Sequence, residues 1–234
     1  MKSLQSLACC FLLFLAVACS DDDDAVATPR PLTFSYDFTD DADGWTGNFA
    51  DYPVGKEDFY ELAFDYTTLP APLDEGEGAL RQSGNNHSDD LFMYAYRQID
   101  GLEPGGTYRA TFALRIASDA PDSSFGVGGS PGASVYLKAG LLGAEPTRTV
   151  DALDYYRVEF DKGNQAQGGS DMIVLGNFSN GTDESAYALK TLSNPEPLTA
   201  TADADGRLWL VIGTDSGFES TTSIYYDAVT LSLQ

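Results

Sequence analysis

From Thr33 onward the chain alternates between apolar and polar positions. Tyr108, Ala110, Phe112, Leu114 and Ile116 share one parity, and Arg109, Thr111, Ala113 and Arg115 share the other. This period of two is that of an antiparallel strand with one buried face. Tyr156, Val158 and Phe160 alternate in the same way with Tyr155, Arg157 and Glu159, and Val135 and Leu137 with Tyr136 and Lys138. Shorter runs predict strands over 32–38, 59–64 and 91–98. The run 207–213 is apolar at both parities (Leu208, Leu210 and Ile212 against Trp209 and Val211), as expected of a central strand covered on both sides. The run 223–233 changes phase between Tyr226 and Val229, so a bulge at Asp227-Ala228 is expected to keep one face buried. Glycine-rich stretches at 125–132 and 163–171 separate these strands, and no segment sustains a helical period. Short strands, such loops and no helices predict an all-β antiparallel sandwich, one domain over 32–234 with no internal repeat.

The chain ahead of that domain has a different character. Lys2 precedes an apolar run from Leu7 to Val17, and Ala16-Val17-Ala18 supplies the small residues a signal peptidase requires. Residues 1–18 are therefore expected to be a signal peptide, too short to span a bilayer. Cys19 follows directly, and residues 15–19 resemble the lipobox of bacterial lipoproteins, although Ala16 stands where leucine is commoner. The resemblance implies that Cys19 is acylated and fixes the protein to the outer membrane. Ser20 with Asp21-Asp22-Asp23-Asp24 resembles the acidic export signal of surface lipoproteins of Bacteroidetes, which implies exposure at the cell surface. Residues 19–31, ending in Thr28-Pro29-Arg30-Pro31, read as a tether. The other cysteines, Cys9 and Cys10, leave with the signal, so the exported domain is expected to hold no disulfide.

Charge narrows the choice of partners. The 13 basic residues stand against 36 acidic ones, a formal net charge of −23, which repels a phosphate backbone and argues against nucleic acid. One histidine, His87, excludes zinc sites that need several.

Candidate chemistry is sparse. Gly128-Gly129-Ser130-Pro131-Gly132 fits the G-x-S-x-G spacing of a nucleophile elbow, but that elbow needs the N–H after serine, and Pro131 has none. The segment reads as a turn. No pair among 36 acids stands out as a glycosidase couple. Asp40-Asp41-Ala42-Asp43-Gly44 and Asp203-Ala204-Asp205-Gly206 place oxygens as calcium prefers, although Asp-Gly is also a favoured turn. Eight of the basic residues fall between 81 and 162, and the polar faces of the middle strands are the expected ligand surface, with Tyr136, Lys138, Tyr155 and Arg157 as candidate contacts. Aromatic rings stack on sugar C–H groups, and guanidinium forks hold hydroxyls or carboxylates.

Three segments resemble the jelly-roll sandwiches of carbohydrate-binding modules in the galactose-binding-like group. They are Asp37-Phe38 with Gly44-Trp45, the stretch Gly101-Leu102-Glu103-Pro104-Gly105-Gly106-Thr107-Tyr108, and Ile224-Tyr225-Tyr226-Asp227-Ala228-Val229. The resemblance implies a jelly-roll that binds a glycan or other extracellular polymer without catalysis, and a structural calcium joining the first and last strands at Asp37 and Asp227. Val135-Tyr136-Leu137-Lys138-Ala139-Gly140 resembles a strand of jelly-roll alginate lyases, but their arginine-rich and Q-[IV]-H motifs are missing. A lyase or glycosidase is thus the alternative reading, and an adhesion subunit with a cell-surface protein partner is a third.

Overall fold

The computed structural model describes residues 30–234, in which every regular element is a β-strand. In chain order these are β1 (Leu32–Tyr36), β2 (Thr46–Ala50), β3 (Ala63–Thr68), β4 (Gly78–Asn85), β5 (Leu91–Ile99), β6 (Thr107–Ser118) and β7 (Val135–Leu142). They continue as β8 (Arg148–Val150), β9 (Tyr156–Val158), β10 (Met172–Asn177), β11 (Ala188–Ser193), β12 (Leu198–Thr201), β13 (Leu208–Ser216) and β14 (Thr221–Leu233). They form an antiparallel jelly-roll β-sandwich. One sheet runs β11-β6-β14-β4-β3, and the other runs β10-β7-β13-β5-β2. The long strands β6 and β14 each carry two shorter partners on one edge. β4 and β1 share the outer edge of β14, and β11 and β12 that of β6.

The alternation read from the sequence is the packing. Ala110, Phe112, Leu114 and Ile116 of β6 point inward and are fully buried against Leu210 and Ile212 of β13 and Leu137 and Ala139 of β7 within one core. The phase change in β14 is a bulge, because pairing with β6 shifts register between Tyr226 and Ala228. Ile224, Tyr226, Val229 and Leu231 all reach the core as a result. The expected strand 59–64 is instead a turn that leads into β3. Its apolar residues Phe59 and Tyr60 serve loop packing, with Phe59 exposed and Tyr60 buried.

A third layer was not foreseen. Residues 143–171, which include the β8–β9 hairpin, fold back across the outer face of the five-stranded sheet. Gly140 allows this close approach, since a Cβ there would sit 2.2 Å from the carbonyl oxygen of Asp171.

Candidate functional site

The outer face of the five-stranded sheet is set by alternation. β5 presents Phe92, Tyr94, Tyr96 and Gln98, β13 presents Trp209, Val211 and Asp215, and β7 presents Tyr136 and Lys138, opposite in parity to the core residues. The aromatic rings form a row. Phe92 and Tyr94 stack at 5.1 Å, Tyr94 and Tyr96 at 6.1 Å, and Trp209 meets Tyr96 edge-on at 6.0 Å. The overlying segment covers half of this row, where Phe160 sets its edge against Phe92 and Tyr94. Tyr96, Gln98 and Trp209 are only half-buried.

Beneath the covered half lies a network of charges. Lys138, read from the sequence as an outward-facing contact, has no exposed surface. Its Nζ donates to Asp215 Oδ2 at 2.8 Å and to the carbonyls of Lys162 and Gln167 at 2.8 and 3.0 Å, so all three ammonium protons are used. Lys162 donates to the same Asp215 oxygen at 2.9 Å and lies 3.1 Å from Asp51 Oδ2. Arg157 donates to Asp51 at 2.7 Å and Asp151 at 2.9 Å, and approaches Asp90 at 3.6 Å. Its guanidinium also lies over the ring of Tyr155, 5.1 Å from the centroid.

Asp51, Asp90 and Asp215 each bring a carboxylate oxygen within 4.8 Å of the others, a spacing that a metal ion could bridge. Here cations are already built in, because Lys138, Lys162 and Arg157 are shared among these three carboxylates and Asp151. Burial lowers the pKa of Lys138 despite the opposing pull of Asp215. Burial works in the same direction on Lys162, but Asp215 and Asp51 outweigh it and leave its pKa above the ordinary lysine value. Asp90, closer to solvent, is pushed up to about 6 by burial and by the neighbouring charge of Asp51.

The structure therefore gathers Lys138, Tyr155 and Arg157 along one side of the domain, with Lys138 in the interior and Tyr155 and Arg157 half-buried. Lys138 is corrected from ligand contact to a pin that holds the overlying segment to the sheet. The face of Tyr155 is occupied by Arg157. Tyr136 lies opposite Asp215 in the strand pairing and is half-buried.

The two aspartates expected to hold calcium are spoken for. Asp227, buried at the bulge, forms an ion pair with Arg115. Asp37 Oδ1 accepts from the backbone N–H and hydroxyl of Thr39 at 3.2 and 2.9 Å, and these bonds, with a weaker pull from Arg115, hold its carboxyl below the usual range. Arg115 thus pairs with Asp227 and exerts a weaker pull on Asp37, so in this structure a guanidinium stands at the position expected for calcium. The Asp203–Gly206 loop is a turn, in which Asp203 Oδ1 accepts from the N–H groups of Asp205 and Arg207 and Gly206 takes φ +73. The Gly128–Gly132 segment is also a turn, where Ser130 Oγ accepts from the N–H groups of Gly132 and Ala133 at 3.2 and 3.1 Å.

The uncovered half of the aromatic row opens into a groove. A depression of about 430 Å³ is lined by Trp209, Gln98, Arg207, Asp203 and the edge of the overlying segment at Gly143–Glu145. A second, of about 240 Å³, shares Gly143, Ala144 and Glu145 and continues past Thr147, Glu159 and Phe160. Arg207 is held by Asp203 at 2.9 Å and also pairs with Asp205. A half-exposed indole beside an amide, a guanidinium and carboxylates can stack against one ring face and hydrogen-bond its hydroxyls. Sequence reading did not single out Trp209, Tyr96, Gln98 or Arg207. The signal available was Trp209 itself, an aromatic on the non-core parity of a central strand.

No protein-family model matches the chain, and no curated protein matches it. Among solved structures, a carbohydrate-binding module of the β-sandwich superfamily is 14% identical over 80% of this chain and 56% of its own, with a TM-score of 0.39. This chain thus spans little more than half of that structure. The xylan-binding domain from Paenibacillus barcinonensis is 12% identical over 88% of this chain and 97% of its own, at a TM-score of 0.41. A mannan-recognising carbohydrate-binding module is 10% identical over 88% and 99%, also at 0.41. At such scores, the reading of the site is left to its own geometry.

Proposed function

We propose that this domain binds a glycan without catalysis, in the open groove beside Trp209, while a lipid on Cys19 holds the protein at the outer membrane of the cell surface. The observation that carries the binding reading is the half-exposed Trp209, set edge-on to Tyr96 at 6.0 Å and bordering a 430 Å³ depression rimmed by Gln98, Arg207 and Asp203. An aromatic platform with hydrogen-bonding groups around it suits a sugar ring, whose C–H face is apolar and whose rim is hydroxylic. The Gly143–Glu145 wall joins this depression to the next, so the groove has length as well as width. The lipid anchor rests on the sequence around Cys19, which lies outside the described residues.

A glycan array probed with the full-length protein and with Trp209→Ala tests the binding reading. Retention on at least one glycan, lost in the variant, is the expected result. Equal retention by both, or none by either, contradicts it. For the anchor, Cys19→Ser is expected to move the protein from the membrane fraction to the soluble fraction, and a variant that stays with the membrane overturns that part.

A further inference from the structure

We propose that the loop end of the sandwich farthest from the point of chain entry is a docking surface for a basic, apolar-bearing segment of another protein. The chain enters at Leu32, which pairs with Leu233 at the end of β14, whereas β14 begins at Thr221 at the opposite end. That opposite end is the one farther from the tether that leads to Cys19.

Its loops concentrate the exposed apolar side chains of the described domain. Phe125 is 96% exposed, Leu153 75%, Val127 68%, Phe59 59% and Val54 41%. These residues sit on contiguous loops. Glu219 N donates to the carbonyl of Val127 at 2.9 Å, Asn86 Nδ2 donates to that of Phe218 at 3.0 Å, and His87 beside Asn86 stacks on Phe59 at 4.2 Å. Val54 N donates to the carbonyl of Asp154, which ties the Leu153 turn to the same surface.

The side chains are presented on ordered backbone. Asp151 Oδ1 accepts from the N–H groups of Leu153 and Tyr155 at 2.8 and 3.0 Å, and the Phe125 loop closes through a bridge between Gly126 and Gly129. Apolar groups held in place before binding lose little entropy on contact, and an exposed patch of this kind marks an interaction site. The charge around it chooses the partner. Exposed Glu57, Asp58, Asp89 and Asp154 border the patch; of the cations nearby, Arg157 is already bound by Asp51 and Asp151, which leaves exposed Lys56 as one positive charge among these four acids. A partner with lysine or arginine interleaved among apolar side chains satisfies both features.

The test uses three synthetic peptides, alternating lysine with leucine, glutamate with leucine and lysine with serine, titrated against the full chain and the triple variant Phe59→Ser/Phe125→Ser/Leu153→Ser. These positions are exposed, and unchanged thermal unfolding verifies that the variant folds. The lysine–leucine peptide is expected to bind the wild type and to lose about tenfold in affinity with the variant, while the lysine–serine peptide is insensitive to the substitutions. Equal binding of the lysine–leucine peptide to both proteins overturns the proposal, as does preference for the glutamate–leucine peptide. If the wild type self-associates and the variant does not, the surface serves a second copy of this chain and the proposal also fails.

Discussion

The ammonium of Lys138 and the carboxylate of Asp215 meet at 2.8 Å on neighbouring strands with no exposed surface on either side chain. Breaking such a pair leaves a buried charge, which costs about 3–5 kcal/mol, whereas replacing both partners with apolar residues of similar volume costs far less. Lys138→Met leaves Asp215 with Lys162 and the N–H of Gln165, so the expected loss is near the low end of that range. Asp215→Ala leaves Lys138 with no carboxylate and Lys162 with Asp51 alone, and is expected to be worse. The double variant Lys138→Met/Asp215→Leu should recover part of the loss. Urea unfolding of the four proteins checks this order.

Asp90 gives the fold a dependence on pH. Its folded pKa of about 6 lies above the ordinary carboxylate value of 3.8, so the folded protein holds a proton that the unfolded chain releases. Stability from this group is full below about pH 4 and is lost as pH rises through 6. Asp90→Asn should therefore raise Tm at pH 8 and leave it unchanged near pH 4. Because the side chain is one-third exposed, solvent screening limits the gain to about 1 kcal/mol, or roughly 2–4 °C. A gain of equal size at both pH values would contradict the assignment.

Tyr226 carries its hydroxyl into the core, where it is fully buried and finds no partner among the described residues. Burial raises its pKa far above the tyrosine value. Tyr226→Phe removes the desolvated group and keeps the ring, so it should stabilise the protein by about 1 kcal/mol in the same urea assay.

Asp227 is neutralised by Arg115. Melting temperature should accordingly be the same in EDTA and in millimolar calcium, whereas Arg115→Ala should lower it by leaving a buried carboxylate unpaired. A calcium-dependent rise in the wild type would restore Asp37 and Asp227 as metal ligands.

What could be read in advance was what period two encodes. The inward faces of β6, β7 and β13 and the bulge after Tyr226 follow from apolar spacing alone, because burial on one face is a local constraint. β4 was missed because Arg81, Gln82 and Ser83 interrupt its apolar pattern. Gln82 is nonetheless fully buried, its amide donating to the carbonyls of Asn48 and Tyr94. Lys138 was placed on the correct face of its strand and given the wrong environment. The layer that covers it comes from residues 143–171, where the alternation of Tyr156, Val158 and Phe160 signals one buried face but not which surface that face covers. The groove was hidden for the same reason, since its walls come from Gly143–Glu145, Asp203 and Arg207, which meet only in three dimensions.

The claim that a glycan sits on Trp209 has a direct optical test. The chain has two tryptophans, and Trp45 is buried in the core. In a Trp45→Phe background all indole emission therefore reports the groove. Titration with a glycan retained on the array should shift that emission to shorter wavelength and shield it from acrylamide quenching, saturating with the binding isotherm. A glycan that binds by calorimetry and leaves the emission and quenching of Trp209 unchanged would place the ligand elsewhere.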